Sequence, residues 1–181
     1  MDRETDKDTL DITGYVEQWT SRDGREVILR PIRPDDRLIE KELIEGLSAD
    51  SSRYRFFCHV KEATESMLRL FCDVDNKNAV AIIAEYHTNT AGRNVGVVRL
   101  NVDPDQESAE FAILVADDFQ GTGLGRKLME TLMKIAQGKK LKKIYGSVLA
   151  DNYKTLNMVK EFDFKAGPDI CGEIKITRQL H

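Results

Sequence analysis

The chain has 181 residues, 41% apolar and 32% charged, with a formal net charge of −4, the balance of a soluble protein with one compact core. No apolar run approaches the ~18 residues of a membrane span, and the overall acidity argues against a nucleic-acid binder. Three cysteines, Cys58, Cys72 and Cys171, with no C-x-x-C pair, indicate neither a disulfide framework nor a zinc site.

Reduced thiols fit a cytoplasmic setting, and the polar start MDRETDKDTL is not a signal peptide. Residues 1–13 read as a flexible lead-in and 14–181 as one domain. Tyr15 to Thr20 is expected as a strand, Ser21 to Gly24 as a turn, and Glu26 to Arg33 as a second strand. Pro34-Asp35-Asp36 opens a helix to about Leu47, with its acids in the first turn. Ser48 to Phe57 is a cap followed by a short helix, and Glu62 to Cys72 is another. Ala79 to His87, Asn94 to Val102 and Glu107 to Val115 form three strands separated by turns at Asn89–Arg93 and Asp103–Asp105, so an antiparallel meander is predicted. A helix runs from Leu124 to about Gln137 and ends at Gly138. Its residues Leu124, Leu128, Leu132 and Ile135 recur at helical spacing and are assigned to the core. A strand from Lys142 to Leu149, a helix from Asn152 to Glu161 and a closing strand from Glu173 to Leu180 complete the α/β chain.

The most informative stretch is VADDFQGTGLGRK, Val115 to Lys127, where a strand hands over to a helix through Gly121, Gly123 and Gly125. Glycines let the backbone approach a ligand, and the first N–H groups of a helix have no internal partner. With the helix dipole they suit a phosphate or diphosphate, and Arg126 and Lys127 stand ready for more negative charge. The bland alternative is a glycine-rich helix entry with no ligand. The spacing is not a P-loop, because Gly121 and four further residues lead to Arg126, and it is not the G-x-G-x-x-G dinucleotide fingerprint. From Arg126 to Lys143, seven basic residues accompany one acid, Glu130. They form either a solvated helix face or a basic rim for phosphates; no aromatic residues interleave as in a single-strand nucleic-acid surface.

What remains is Gln120-x-x-Gly123-x-Gly125, which resembles motif A (Q/R-x-x-G-x-G/A) of the GCN5-related N-acetyltransferases (GNAT). The order strand, helices, three strands, helix, strand, helix, strand is similar to that family over roughly residues 26–180. The segments RPIRPDD, SRYRFF, AEFAILV and DFQGTGLG are most similar to the bacterial protein lysine acetyltransferase (Pat-like) domains. The resemblance implies a mixed, mostly antiparallel sheet flanked by helices and splayed between the family's strands 4 and 5. It implies acetyl-CoA as co-substrate, with the diphosphate on the loop Gln120, Gly121, Thr122, Gly123, Leu124, Gly125 and Arg126. The pantetheine arm is expected on the backbone of Ile113 and Val115, the Val115 amide as oxyanion donor, and Asn152 at the cofactor.

Acyl transfer to an amine needs the amine neutral, yet a lysine of pKa near 10.4 is neutral in only about one molecule in a few thousand at pH 7. A general base must take that proton. In regular alternation Glu110, Ala112 and Leu114 share one strand face; the small Ala112 leaves room for substrate, and burial would raise the Glu110 pKa. The resemblance places the base at Glu110. The bland alternative is a salt-bridged or solvated strand glutamate; Glu85 and Glu107 are weaker candidates. Family relatives carry a Tyr that protonates the leaving thiolate where Val159 stands here, and a Gly where Asp163 stands. Tyr153 and Ser147 are possible substitutes for the acid. Arg53, Tyr54 and Arg55 fall where the family borders its acceptor groove, as substrate contacts or surface ion pairs. Cys58-His59 is set aside as a catalytic pair, and with His87 and His181 isolated, no metal is expected. The reading is an acetyltransferase for a protein lysine. A small-molecule amine acceptor and a non-catalytic acyl-CoA-sensing module are the alternatives; no nucleic-acid or membrane partner is expected, and the oligomeric state is left open.

Overall fold

The computed structural model describes residues 12–89 and 91–180. Most of the expected lead-in, residues 1–11, lies outside them, as do Thr90 in the predicted turn and His181. Ile12 is 2% exposed and packs into the core, so the ordered domain includes it.

Among the described residues eight strands form one sheet: β1 (Glu17–Thr20), β2 (Glu26–Pro31), β3 (Ala79–His87), β4 (Gly92–Val102), β5 (Ser108–Val115), β6 (Lys143–Leu149), β7 (Lys165–Ile170) and β8 (Glu173–Gln179). Their order is β1-β2-β3-β4-β5-β6-β8-β7. Every neighbouring pair is antiparallel except β5–β6, which is parallel. The five α-helices among the described residues are α1 (Arg37–Glu45), α2 (Ala49–Phe56), α3 (Glu65–Cys72), α4 (Leu124–Gly138) and α5 (Tyr153–Glu161). The predicted mixed α/β class and meander are present.

Local chemistry sets the helix ends. Ser48 and Thr64 cap α2 and α3, accepting from the N–H groups of Ser51 and Met67 at 3.2 Å. Thr64 thereby starts α3 three residues later than predicted. Pro34–Asp36 is a 3₁₀ turn that leads into α1, and Gly46 closes α1.

The strand missed by sequence reading is β7. Its residues KAGPDI are all exposed, and its register against β8 breaks between Ala166 and Asp169, around Gly167-Pro168. An edge strand with both faces wet carries no alternating apolar signal, and a proline is tolerated there because the outer edge donates to nothing.

The two faces of the sheet are covered differently. On one, Arg99 of β4 reaches Glu40 of α1. On the other, the space at Gly96 is closed by Leu124 and Leu128 of α4. Leu124, Leu128, Leu132 and Ile135 are all at most 3% exposed, as their spacing predicted; full burial of such a side chain contributes about 1.5–3 kcal/mol. This packing fixes α4 on β4 and β5, and so fixes the loop between β5 and α4.

Candidate functional site

The parallel pairing of β5 and β6 is short. It joins only Ser108–Glu110 to Lys143–Tyr145, after which the strands diverge. β6 stays paired with β8 along its whole length and β5 with β4 as far as Val115, so beyond Glu110 the edges that β5 and β6 turn toward each other are open. The Ala116 N–H donates to the Val95 carbonyl of β4 at 2.9 Å. Alternation therefore directs the backbone groups of Ile113 and Val115 to the opposite, open edge.

That edge borders a cavity of about 640 Å³, within the range of small-molecule sites. Glu110, Ile113, Val115 and Ala112 line one side, Gln120, Gly121 and Gly125 one end, and Gly146, Ser147, Asn152 and Tyr153 the facing wall. Gly146 marks the divergence: a Cβ there would stand 3.0 Å from the Phe111 carbonyl and 3.1 Å from its ring.

The loop end has the chemistry of an anion site. Gly121 and Gly123 hold φ of +76° and +93°, conformations in which other residues are strained. Gly123 is the N-cap of α4 and no side chain caps the helix; its first turn carries no acid. The first intrahelical bond is Lys127 N–H to the Gly123 carbonyl at 3.0 Å. The N–H groups ahead of it are the donors that a diphosphate would satisfy.

The loop is held rigid by its two aspartates, which point away from those donors. Asp117 accepts from the Ser48 N–H at 3.0 Å and from the Ser48 and Ser51 hydroxyls at 2.8 and 2.7 Å. Burial opposes ionisation of Asp117, but these bonds from Ser51 and Ser48 outweigh it and hold the carboxyl below its usual range. Asp118 forms a two-pronged pair with Arg93, both bonds 2.8 Å, and that guanidinium lowers its pKa. Phe119 is fully buried beneath the Arg25 guanidinium, 3.5 Å from its ring centroid. Gln120 donates to Ser51 Oγ at 3.0 Å and to the Val115 carbonyl at 3.4 Å. These anchors tie α2, β4 and the loop together before any ligand arrives.

Several expected residues have other duties. Thr122 turns its hydroxyl inward to the Phe119 carbonyl at 2.6 Å, and Leu124 is fully buried, so only their backbones can face an anion. Lys127 is 8% exposed and bound to Glu17; the expectation that it is free for phosphate is overturned. Arg126 is exposed and pairs with Glu161 and Glu130, where it can exchange partners. The basic residues beyond it spread along α4, about 22 Å long for 15 residues. Lys139 and Lys142 at the far end bind the Lys77 carbonyl and Glu107, so no continuous basic rim forms. Asn152 lines the cavity but spends its Oδ1 capping α5 through the Thr155 N–H at 3.2 Å.

Glu110 is the last residue of β5 paired with β6 and is exposed, so the expected burial of this carboxylate is not met. It borders a second cavity of about 770 Å³ beneath the β7–β8 hairpin as well as the first, and Ser147 on β6 also borders both. The alternatives Glu85 and Glu107 are engaged by Arg30 and Lys142. Val159 is 2% exposed and walled into the core. Asp163 has φ 58°, which gives the physical reason a glycine suits its position. Cys58 and His59 are exposed beyond α2. Among the described residues no three His, Cys, Asp or Glu side chains cluster as metal ligands, and no helix is long and apolar enough to cross a membrane.

Sequence reading missed Asp117, Asp118, Ser48, Ser51 and Gly146. One signal was present: two acids directly before a turn of unpaired N–H donors suit such a place when their charges are consumed elsewhere.

The family model described as "Acetyltransferase (GNAT) family" matches residues 45–164. Acetyltransferase PA5475 of Pseudomonas aeruginosa is 34% identical over 130 residues, 72% of this chain and 70% of that protein. The solved GNAT domain of S. lividans PAT is similar with a TM-score of 0.82 at 23% identity, over 91% of this chain and 97% of that one. Spermidine N-acetyltransferase from Vibrio cholerae, solved in complex with CoA and spermine, is similar with a TM-score of 0.67 at 20% identity, over 84% and 95%. At these identities the two structures show the fold alone.

Proposed function

The chain belongs to the acetyltransferase (GNAT) family and is an acetyl-CoA-dependent N-acyltransferase, and from that premise we propose that it acetylates a protein lysine side chain with Glu110 as general base. The carrying observation is the position of Glu110, the last paired residue before β5 and β6 part, bordering both cavities at once. The first cavity leads at one end to the anion loop, which suits the cofactor, and is walled by Tyr54 and Arg55 of α2; together with the second, beneath the hairpin, it leaves the acceptor an approach to Glu110.

The residues fit the cofactor in three respects: the uncapped N-terminus of α4, the open β5 edge and the small Gly146 wall. The N–H groups of residues 121–126 would hold the diphosphate, and the backbone groups of Ile113 and Val115 would hold the pantetheine amides. Bound acetyl-CoA supplies the acetyl group as an activated thioester. Glu110 takes the ammonium proton, which frees the nitrogen lone pair to bond to the acetyl carbon, and the second proton that the nitrogen then sheds passes through water to the leaving sulfur. The Val115 N–H faces the open edge, where it can stabilise negative charge on the carbonyl oxygen. The carbon–sulfur bond breaks, and the leaving thiolate is tolerable without an acid because a thiol pKa is only about 8.5; water in the open cavity supplies its proton.

A protein acceptor is favoured by the breadth of the acceptor side, bounded by α2 and an exposed hairpin. The reduced cytoplasm, where acetyl-CoA is available, is the setting this reading implies. The test is incubation of the pure protein with labelled acetyl-CoA and a cell lysate, followed by identification of modified residues. Labelled lysines that disappear with Glu110→Gln, while acetyl-CoA still binds, support the reading. Turnover unaffected by Glu110→Gln contradicts the base assignment, and binding without any acetylation leaves the chain a sensor.

A further inference from the structure

Arg55 of α2 lines the same cavity as Glu110, and among the described residues it makes no hydrogen bond or ion pair. Its contacts are aromatic: the guanidinium lies 4.9 Å from the Phe56 ring centroid and 5.9 Å from that of Phe71. The neighbouring arginines are engaged. Arg53 pairs with Asp151, while Arg99 donates to Glu40 at 2.5 Å and to the Phe71 carbonyl at 2.6 Å. Burial, then repulsion from Arg99, push the Arg55 pKa down to about 10, and Glu40 and Glu110 only partly counter this. The group is still a cation at neutral pH, held without a counter-ion at contact distance. Its nitrogens are not among the sealed, unsatisfied atoms of the interior, so they keep access to the cavity.

A planar, half-buried guanidinium stacked on rings and open to a cavity is matched in shape and charge by a carboxylate, which accepts two parallel hydrogen bonds. We propose that Arg55 is the specificity subsite of the acceptor groove, selecting amines that carry a carboxylate near the reacting nitrogen: for a protein, a lysine with an adjacent Asp or Glu. The inference rests on the acetyltransferase reading of this site. It also sets this chain against polyamine acceptors, whose second ammonium would meet an unpaired positive charge.

The experiment measures kcat/KM by thiol release for the full chain with acetyl-CoA and matched lysine peptides, differing only in Glu, Gln or Arg beside the lysine, and with spermidine. The wild type is expected to favour Glu over Gln by about tenfold, to rank Arg and spermidine below Gln, and to lose this spread in high salt. In Arg55→Gln the Glu/Gln ratio falls to about 1, and in Arg55→Lys it is partly restored; acetyl-CoA binding by calorimetry certifies that both variants are folded. Turnover of all peptides at equal efficiency by the wild type, or a Glu preference that survives Arg55→Gln, overturns the subsite and leaves the acetyltransferase reading intact. Binding of acetyl-CoA with no amine acetylated overturns both.

Discussion

Replacing Asp117 with Ala separates the support of the loop from the loop itself. The substitution removes three hydrogen bonds, from Ser48 N–H, Ser48 Oγ and Ser51 Oγ at 2.7 to 3.0 Å. Hydrogen bonds to a charged acceptor contribute about 1.5–3 kcal/mol each when buried. Asp117 is exposed, and solvent screening cuts this to about 1–2 kcal/mol in all. Because Gln120 leans on the same Ser51 hydroxyl, the loop should loosen as well, and CoA affinity should fall by roughly tenfold, about 1.4 kcal/mol. The Asp117 carboxyl is held below its usual pKa, so its contribution is fully present above the unfolded value of about 4 and is lost as pH falls through the folded value. Urea unfolding at pH 7 and pH 3, with calorimetric CoA titration, reads all three effects. The stability gap between wild type and variant should narrow in acid. A variant destabilised as expected but binding CoA as tightly as wild type would refute the coupling of α2 to the loop.

Gly123→Ala places a Cβ in ordinary contact, 3.4 Å from Arg22 Nε, so its cost is the φ of +93° alone, about 1–2 kcal/mol, and it should weaken CoA binding. Gly125→Ala meets only Met158 sulfur at 3.4 Å and Val115 at 3.8 Å and should match or exceed wild-type stability by up to about 1 kcal/mol; thermal melts of the pair check the ordering. Lys127→Met, which breaks the pair with Glu17, should lower stability by about 1 kcal/mol and leave the CoA Kd within about twofold. Arg126→Ala should do the reverse, weakening CoA severalfold with little change in the melt. Asp163→Gly relieves a left-handed residue and should stabilise by up to about 1 kcal/mol, measured by urea midpoint.

Much of this architecture was legible because its signals are local. The apolar spacing of Leu124, Leu128, Leu132 and Ile135 requires one buried helix face, and three glycines between a strand and that face mark a helix entry that no side chain caps. Alternation along Ala109 to Val115 assigns opposite faces, whereas the cavity at the open end of the strand is lined by every residue from Glu110 to Val115. What escaped depends on long-range pairing. The exposure of Glu110 follows from where β5 and β6 part, and no residue within β5 announces that point. Lys127 reads as a loop cation until Glu17, 110 residues away, closes over it. The β7 strand has no periodicity because neither of its faces is buried. Arg55 looks like its neighbours Arg53 and Arg99 in sequence; only the fold reveals that it alone of the three lacks an acid.

The most direct measurement is a crystal structure of the protein with bound CoA. The diphosphate should lie within hydrogen-bonding distance of backbone N–H groups between Gly121 and Arg126, with the arm running along Ile113 and Val115 toward Glu110. A diphosphate seated on any other surface, or an arm that does not enter the opening between β5 and β6, would contradict the account at its base.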